Sequence, residues 1–279
     1  VCMKIICDSA SLFEPSMEEE FGIKVFPLNV TINNKTYKEF AEIDRKTFIN
    51  QIYEGHLPTS SQPSIGEVLD FFEDCDEETI AITMADGLSG TYQSFVGAKQ
   101  SLEGNADHIH IINSRTLCGP ERLLVLKALK LKDEGCTAEE IIEQLNYSMD
   151  RHSSFLIPKD YDFLKRGGRL TPVAATVAGL LKVVPVLQET EDGKRLEKFA
   201  LKRTFKAAVM DIIDYFKKMN VDENYTISIS HADALDIAQK AVGWIQEALP
   251  STKVEVYELS PVFITQGGPG CVSIQVIHN

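Results

Sequence analysis

No apolar run in this 279-residue chain approaches the ~18 residues that a membrane-spanning helix needs, so integral membrane residence is not expected. Basic residues are also scarce. Lys and Arg total 28 against 41 Asp and Glu, and the resulting net charge of −13 argues against a broad nucleic-acid or anionic-lipid surface. Any anion site must therefore be local. The cysteines (Cys2, Cys7, Cys75, Cys118, Cys136 and Cys271) form no CxxC pair, which suits reduced structural thiols better than disulfides or zinc. The histidines have no HExxH spacing. His108 and His110 share one strand face in HIHII, where a metal pair competes with an ordinary edge position. No Walker A loop or GxGxxG follows an apolar run, so nucleotide binding has no positive support. The start, VCMKIICDSA, lacks the charged, long-apolar and small-residue parts of a signal peptide and reads as a strand; the expected compartment is the cytosol.

What is present is the composition of an ordinary globular protein, 44% hydrophobic and 25% charged, at a length that favours two domains. Apolar runs at Met3–Cys7, Thr79–Thr83 and His108–Ile112 alternate with helical patterns ending at Phe21, Phe72, Leu102, Glu134 and Met149. That alternation predicts a parallel sheet with right-handed crossovers over residues 1–152. Within it, Gly22 closes a helix from Pro15, and Lys24–Ile32 forms a strand that turns at Asn33-Asn34 into Lys35–Tyr37. Asp44 caps a helix carrying Phe48, Ile49 and Ile52, and Thr137 with Glu140 has capping-box spacing.

The stretch Thr79–Ser94, TIAITMADGLSGTYQS, turns from strand to helix through Asp86, Gly87, Leu88, Ser89 and Gly90. Ligands gather at such carboxyl ends of parallel strands, beside helix N-termini. Asp8-Ser9-Ala10-Ser11 and Asn113-Ser114-Arg115 are further polar loops at strand ends. In LPTSSQPSIGEV, Pro58 and Pro63 hold two serines and a glutamine in an extended loop. Ser64, three residues before Glu67, reads as a helix N-cap, whereas Ser60 and Ser61 are either solvated loop residues or part of a site.

The second half, 153–279, mixes hairpins with helices and predicts a mixed sheet. Strands are expected at Ser153–Pro158, Val184–Glu189, Leu196–Leu201, Tyr225–Ser230, Lys253–Leu259, near Val262–Thr265, and at Val272–Ile277. KRGGRLTP places basic residues around a glycine pair. Thr171 and Pro172 then open a nearly all-apolar helix, VAATVAGLLKVV, either buried between layers or lining an apolar cavity. The fold class is α/β: two α/β domains, the N-terminal one mainly a parallel sheet flanked by helices and the C-terminal one a mixed sheet with helices, with a ligand expected at their interface.

Two chemistries compete for Ser89. A serine hydrolase or another small-acid-modifying enzyme needs a G-x-S-x-G elbow and a base; here Gly87 and Gly90 are misplaced, and nothing positions His231. Capture of a molecule with an anionic head and an apolar tail uses hydroxyls, glycine-rich backbone and the apolar helix together. The chain resembles the DegV family of bacterial fatty acid-binding proteins, through CDSAS, PTSSQPS, GLSGTYQS, KRGGRLT, VVPVLQ and the terminal G-P-G, in order along its whole length. The resemblance implies a non-catalytic carrier with no cofactor, a long-chain fatty acid as ligand, and no stable membrane insertion or nucleic-acid partner. It implies a carboxylate held by Ser60, Ser89 and the adjoining Gly90, with Ser60 where the family usually has threonine. It also implies presentation of the fatty acid to a separate ATP-dependent kinase subunit that forms an acyl phosphate, with Arg169, Arg203 and Gln266 facing the phosphate or the partner. Gln266 stands where the family commonly has histidine, and Asn113 where D-S is usual; a glutamine cannot carry a proton as histidine does.

Overall fold

A computed structural model describes residues 2–177 and 181–279. They divide into two compact units, Val1–Met149 with Ser260–Val262, and Asp150–Leu259 with Phe263–Asn279. The first holds β1 (Met3–Asp8), β2 (Ile23–Phe26), β3 (Asn29–Ile32), β4 (Lys35–Lys38), β5 (Thr59–Ser61), β6 (Glu78–Thr83) and β7 (Ile109–Asn113). Its main sheet is parallel throughout, in the order β2-β1-β6-β7. The chain leaves β1 to one side to make β2 and returns on the other to make β6, so the strand order reverses between β1 and β6.

That sheet is covered by apolar faces that the sequence spells out. Val68 and Phe72 in the helix Ile65–Glu73, and Phe95 and Ala98 in the helix Thr91–Gln100, pack with Ile6, Phe26, Ala81 and Ile109. Phe95 meets Phe26 edge-on at 5.6 Å and Phe72 at 6.2 Å, an arrangement that aromatic quadrupoles favour. This cluster fixes the helix that begins just after Ser89.

The second unit holds β8 (His152–Ile157), β9 (Val184–Glu189), β10 (Leu196–Lys202), β11 (Tyr225–His231), β12 (Lys253–Glu258) and β13 (Val272–His278) in the order β10-β9-β8-β13-β11-β12. Only β11 and β12 run parallel. Ala208, Val209, Ile212, Ile213 and Phe216 line one stripe of the helix Phe205–Lys218 and pack on Phe155, Ile229 and Ile274. Thr204 caps that helix by accepting from Ala207 N at 3.0 Å.

Several local expectations fail for identifiable reasons. Lys24–Ile32 is not one strand: Pro27 interrupts it, leaving β2 in the parallel sheet and β3 in a small antiparallel sheet of order β4-β3-β5. The extended loop around Ser60 is β5, which pairs with β3. Ser64 sits at the N-cap position but makes no capping bond, and Glu67 instead pairs with Lys38. The all-apolar helix runs only from Pro172 to Ala175, with Val173 65% and Leu181 87% exposed; residues 178–180 lie outside the described residues. Lys182 is left-handed and Val184 pairs with Lys202, so strand pairing claims the end of that run, and Pro185 disfavours helix before it. The strand expected near Val262–Thr265 is the helix Pro261–Gly267, which its leading proline suits.

Ser260–Val262 rejoin the first unit at a buried acid. Glu39 is fully buried, accepts from Val262 N at 2.9 Å, and pairs with the Ser9 hydroxyl. Burial raises its carboxyl from 4.5 to about 7 against the opposing effect of those hydrogen bonds. Between those values the folded chain keeps a proton that the unfolded chain has lost, so this group's stability contribution falls as pH rises through the window. The change is on the order of 3 kcal/mol, taking ~1.4 kcal/mol per pH unit. Glu39→Gln removes the titrating group and keeps an acceptor for Val262 N, while its amide N–H would turn the Ser9 hydroxyl from donor to acceptor. Urea unfolding from pH 5 to pH 8 is expected to give the variant a flatter stability profile than the parent.

Candidate functional site

The reversal point between β1 and β6 is where an open parallel sheet leaves a crevice at its carboxyl edge. Asp8 ends β1 with its side chain wholly buried. One carboxylate oxygen accepts from Ala10 N at 3.1 Å and the other from Met84 N at 2.8 Å, which ties the loop after β1 to the loop after β6. Cys118 N donates to Ala10 O at 2.8 Å, and Ala85 N to Thr116 O at 2.8 Å, bringing in the segment after β7. Three strand ends are thus knitted together by backbone groups.

Burying Asp8 raises its carboxyl despite the N–H donors, and the Glu121 carboxyl faces it. Glu121 is also fully buried and, among the described residues, finds no hydrogen-bond partner apart from Asp8. Desolvation, reinforced by the Asp8 charge, pushes Glu121 well above the usual carboxylate range. The contact between the two carboxyls acts in opposite senses, lowering Asp8 and raising Glu121, so of the pair Asp8 is the one whose charged form its neighbours favour. Sequence reading did not single out Glu121. Its signal was there: Leu124, Val125 and Ala128 follow at one buried stripe, placing an acid on the apolar face of the helix Gly119–Asp133.

On this base stands the Ser89 loop. Gly87 turns it at φ 95°, a left-handed conformation that favours glycine. Asn113 Oδ1 accepts from both Asp86 N and Arg115 N at 3.0 Å, so an amide supplies the acceptor at the end of β7. Gln93 Nε2 reaches back to Asp86 Oδ2 at 3.1 Å. Ser89 Oγ accepts from Thr91 N at 3.2 Å and lies 2.8 Å from the buried Thr91 hydroxyl. When that hydroxyl donates into it, the Ser89 proton is left for an outside acceptor. Gly90 holds the N-cap position of the helix Thr91–Gln100 without a side chain to cap it. Helix dipole and first-turn N–H groups there favour an anion.

Ser60 is half-buried in β5, opposite Val30. Two residues on, Gln62 Oε1 lies 3.4 Å from where a Cβ on Gly90 would be, and Gln62 O accepts from Asn29 Nδ2 at 3.0 Å. The S-Q-P segment and the Ser89 loop therefore meet through Gln62 and Gly90, and Gln62 joins the candidates that sequence reading left out. A cavity of about 490 Å³ in the first unit opens against Lys24, Lys38, Phe26 and Phe71, and neither serine lines it.

Among the described residues the hydrogen-bond partners of the Ser89 hydroxyl are both in Thr91, and neither is an acid or a base. His231 belongs to the second unit, where its Nδ1 accepts from Ala234 N at 3.1 Å. In that unit Arg169 and Gln266 come together on the glycine pair. Arg169 Nη1 donates to Gly167 O, and a Cβ on Gly167 would collide with Gln266 Oε1. Burial and the charge of Arg195 pull Arg169 below the usual guanidinium value. Arg203 is exposed just before the Thr204 cap.

A family model described as "Uncharacterised protein, DegV family" matches residues 2–279. The chain belongs to the DegV family. A DegV domain-containing protein of Caldanaerobacter subterraneus is 31% identical over 274 residues, covering 97% of this chain and 96% of its own. Among solved DegV structures, a fatty acid binding protein from Bacillus subtilis is 27% identical with a TM-score of 0.85, covering 99% of each chain. A DegV family protein from Thermus thermophilus, described by its fatty acid binding, is 25% identical with a TM-score of 0.86 over 100% of each chain. The α/β architecture with one parallel and one mixed sheet is that of these DegV structures.

Loss of the Asn113 acceptor leaves two loop amides without a partner. Asn113→Ala is expected to destabilise the protein by about 1–3 kcal/mol, with the Asp86 and Arg115 amides among those whose hydrogen exchange accelerates. Unchanged exchange at both would mean that Asn113 does not hold the loop.

Proposed function

We propose that this chain is a fatty acid carrier that holds the carboxylate of a long-chain fatty acid at Ser60, Ser89 and Gly90. The carrying observation is the Ser89 hydroxyl, which accepts from Thr91 N and lies 2.8 Å from the Thr91 hydroxyl, so that its proton is open to a ligand when the latter donates, beside a helix start with no side-chain cap. Support comes also from the fatty acid binding of the Bacillus and Thermus relatives. A carboxylate accepting charge-assisted hydrogen bonds there gains orientation. The alkyl chain supplies most of the affinity, at about 0.8 kcal/mol per buried methylene against ~1 kcal/mol for a neutral hydrogen bond. No cofactor enters this reading, and the protein works in the cytosol.

The same reading extends to presentation of the bound carboxylate to a separate ATP-dependent fatty acid kinase. Arg169, held against the glycine pair with Gln266, supplies positive charge for a phosphate or a partner, and exposed Arg203 is the second cation of that role. Gln266 offers hydrogen bonds and no titratable proton, so at this position the chain positions the acyl phosphate without acid-base assistance. A hydrolase built on Ser89 is the competing reading, and among the described residues no base is hydrogen-bonded to the hydroxyl.

Denaturing mass spectrometry of the purified chain is expected to release a stoichiometric long-chain fatty acid. Added oleate at about 100 times its Kd should stabilise the protein by ~2.7 kcal/mol in thermal unfolding, and Ser89→Ala should shrink that gain. An empty protein that also ignores oleate contradicts the carrier. Labelling of Ser89 by a serine-reactive phosphonate would favour the hydrolase.

A further inference from the structure

The carboxylate site leaves unused one cluster of metal-ligating side chains in the first unit. Glu78 opens β6 and His110 lies in β7, where the register pairs Ile80 with His110 and sets Glu78 as its diagonal neighbour on the same face. His110 Nε2 lies 2.5 Å from Glu78 Oε1. Glu139, in the first turn of the helix Ala138–Met149, brings a second carboxylate, and one ligand atom from each residue falls within 4.8 Å of the other two. Glu78 and His110 are half-buried and Glu139 is exposed, so the group has one wall of protein and one side of solvent. His108, its expected companion from the HIHII pattern, is occupied elsewhere: its Nε2 meets Cys75 O at 2.7 Å.

The charges are poorly balanced for a plain ion-pair cluster. His110 is the one basic side chain paired with Glu78 among the described residues, and Glu139 has no ion-pair partner there, in a chain with net charge −13. One imidazole nitrogen and two carboxylate oxygens make a donor set suited to zinc and neighbouring first-row divalent ions. Donors around such an ion at ~2.1 Å stand about 3.4 Å apart in tetrahedral geometry. The register of β6 and β7 already holds two of the three donors side by side.

We propose that Glu78, His110 and Glu139 bind a divalent transition-metal ion of the zinc class, with the remaining coordination positions open to water. The site is independent of fatty acid binding. The test is zinc titration of the full-length chain after chelator treatment and dialysis, followed by calorimetry and by metal analysis of the dialysed protein. A single ion per chain with micromolar affinity is expected, and His110→Ala and Glu139→Gln should each weaken it about tenfold or more. Both variants should keep the oleate-dependent stabilisation of the parent. Glu139→Gln alters an exposed side chain and so tests the site even if His110→Ala folds poorly. No saturable uptake, or uptake unchanged in both variants because the thiols or other histidines take the ion, would overturn the proposal.

Discussion

A single buried carboxylate organises the functional end of the first unit. Asp8 could not remain ionised in that interior without donors, and it finds them in Ala10 N and Met84 N, one from its own strand end and one from the neighbouring strand end. The charge thereby welds the two loops that flank the reversal of strand order. Burial and the Asp8 carboxyl push Glu121 beside it well above the usual carboxylate range. The Ser89 loop inherits its position from this arrangement, and the Phe26, Phe72 and Phe95 cluster fixes the helix that follows it.

Two chemistries compete for Ser89, and its neighbours favour ligand capture over nucleophilic attack. A nucleophile needs a base at its hydroxyl, whereas Ser89 has the backbone N–H and hydroxyl of Thr91. With the Thr91 hydroxyl donating, such partners fix Ser89 as a donor. Fixing matters because a hydroxyl that already has its acceptor bonds satisfied loses little entropy on meeting a carboxylate.

Much of this was legible in the chain itself. Period-two and period-3.6 apolar patterns gave the parallel sheet and its helices, and short-range capping chemistry showed up at helix ends, as with Asp44 accepting from Thr47 N at 2.7 Å and Gly22 at φ 67°. What escaped depends on partners far away in sequence. Glu39 has no local signal, since its meaning comes from Val262, more than two hundred residues later. Residues Val262–Thr265 are β-branched or aromatic for the most part, yet Pro261 and the return of Ser260–Val262 to the first unit make them helical. Gln62 became visible only when β5 paired with β3 and laid that side chain on Gly90. The Ser60 and Ser89 pairing itself came from resemblance, and the structure adds the Gln62 contact that draws their segments together.

The central claim is that the Ser89 hydroxyl, held by Thr91 on the Asp8 base, receives a fatty acid carboxylate. Electron density for the protein crystallised with oleate tests it most directly. The account predicts a carboxylate oxygen within hydrogen-bond distance, about 2.5–3.0 Å, of Ser89 Oγ, with Ser60 Oγ and the backbone at Gly90 completing the cradle. A carboxylate bound away from Ser89, with the Thr91 contacts unaltered and the serine facing water, would contradict it.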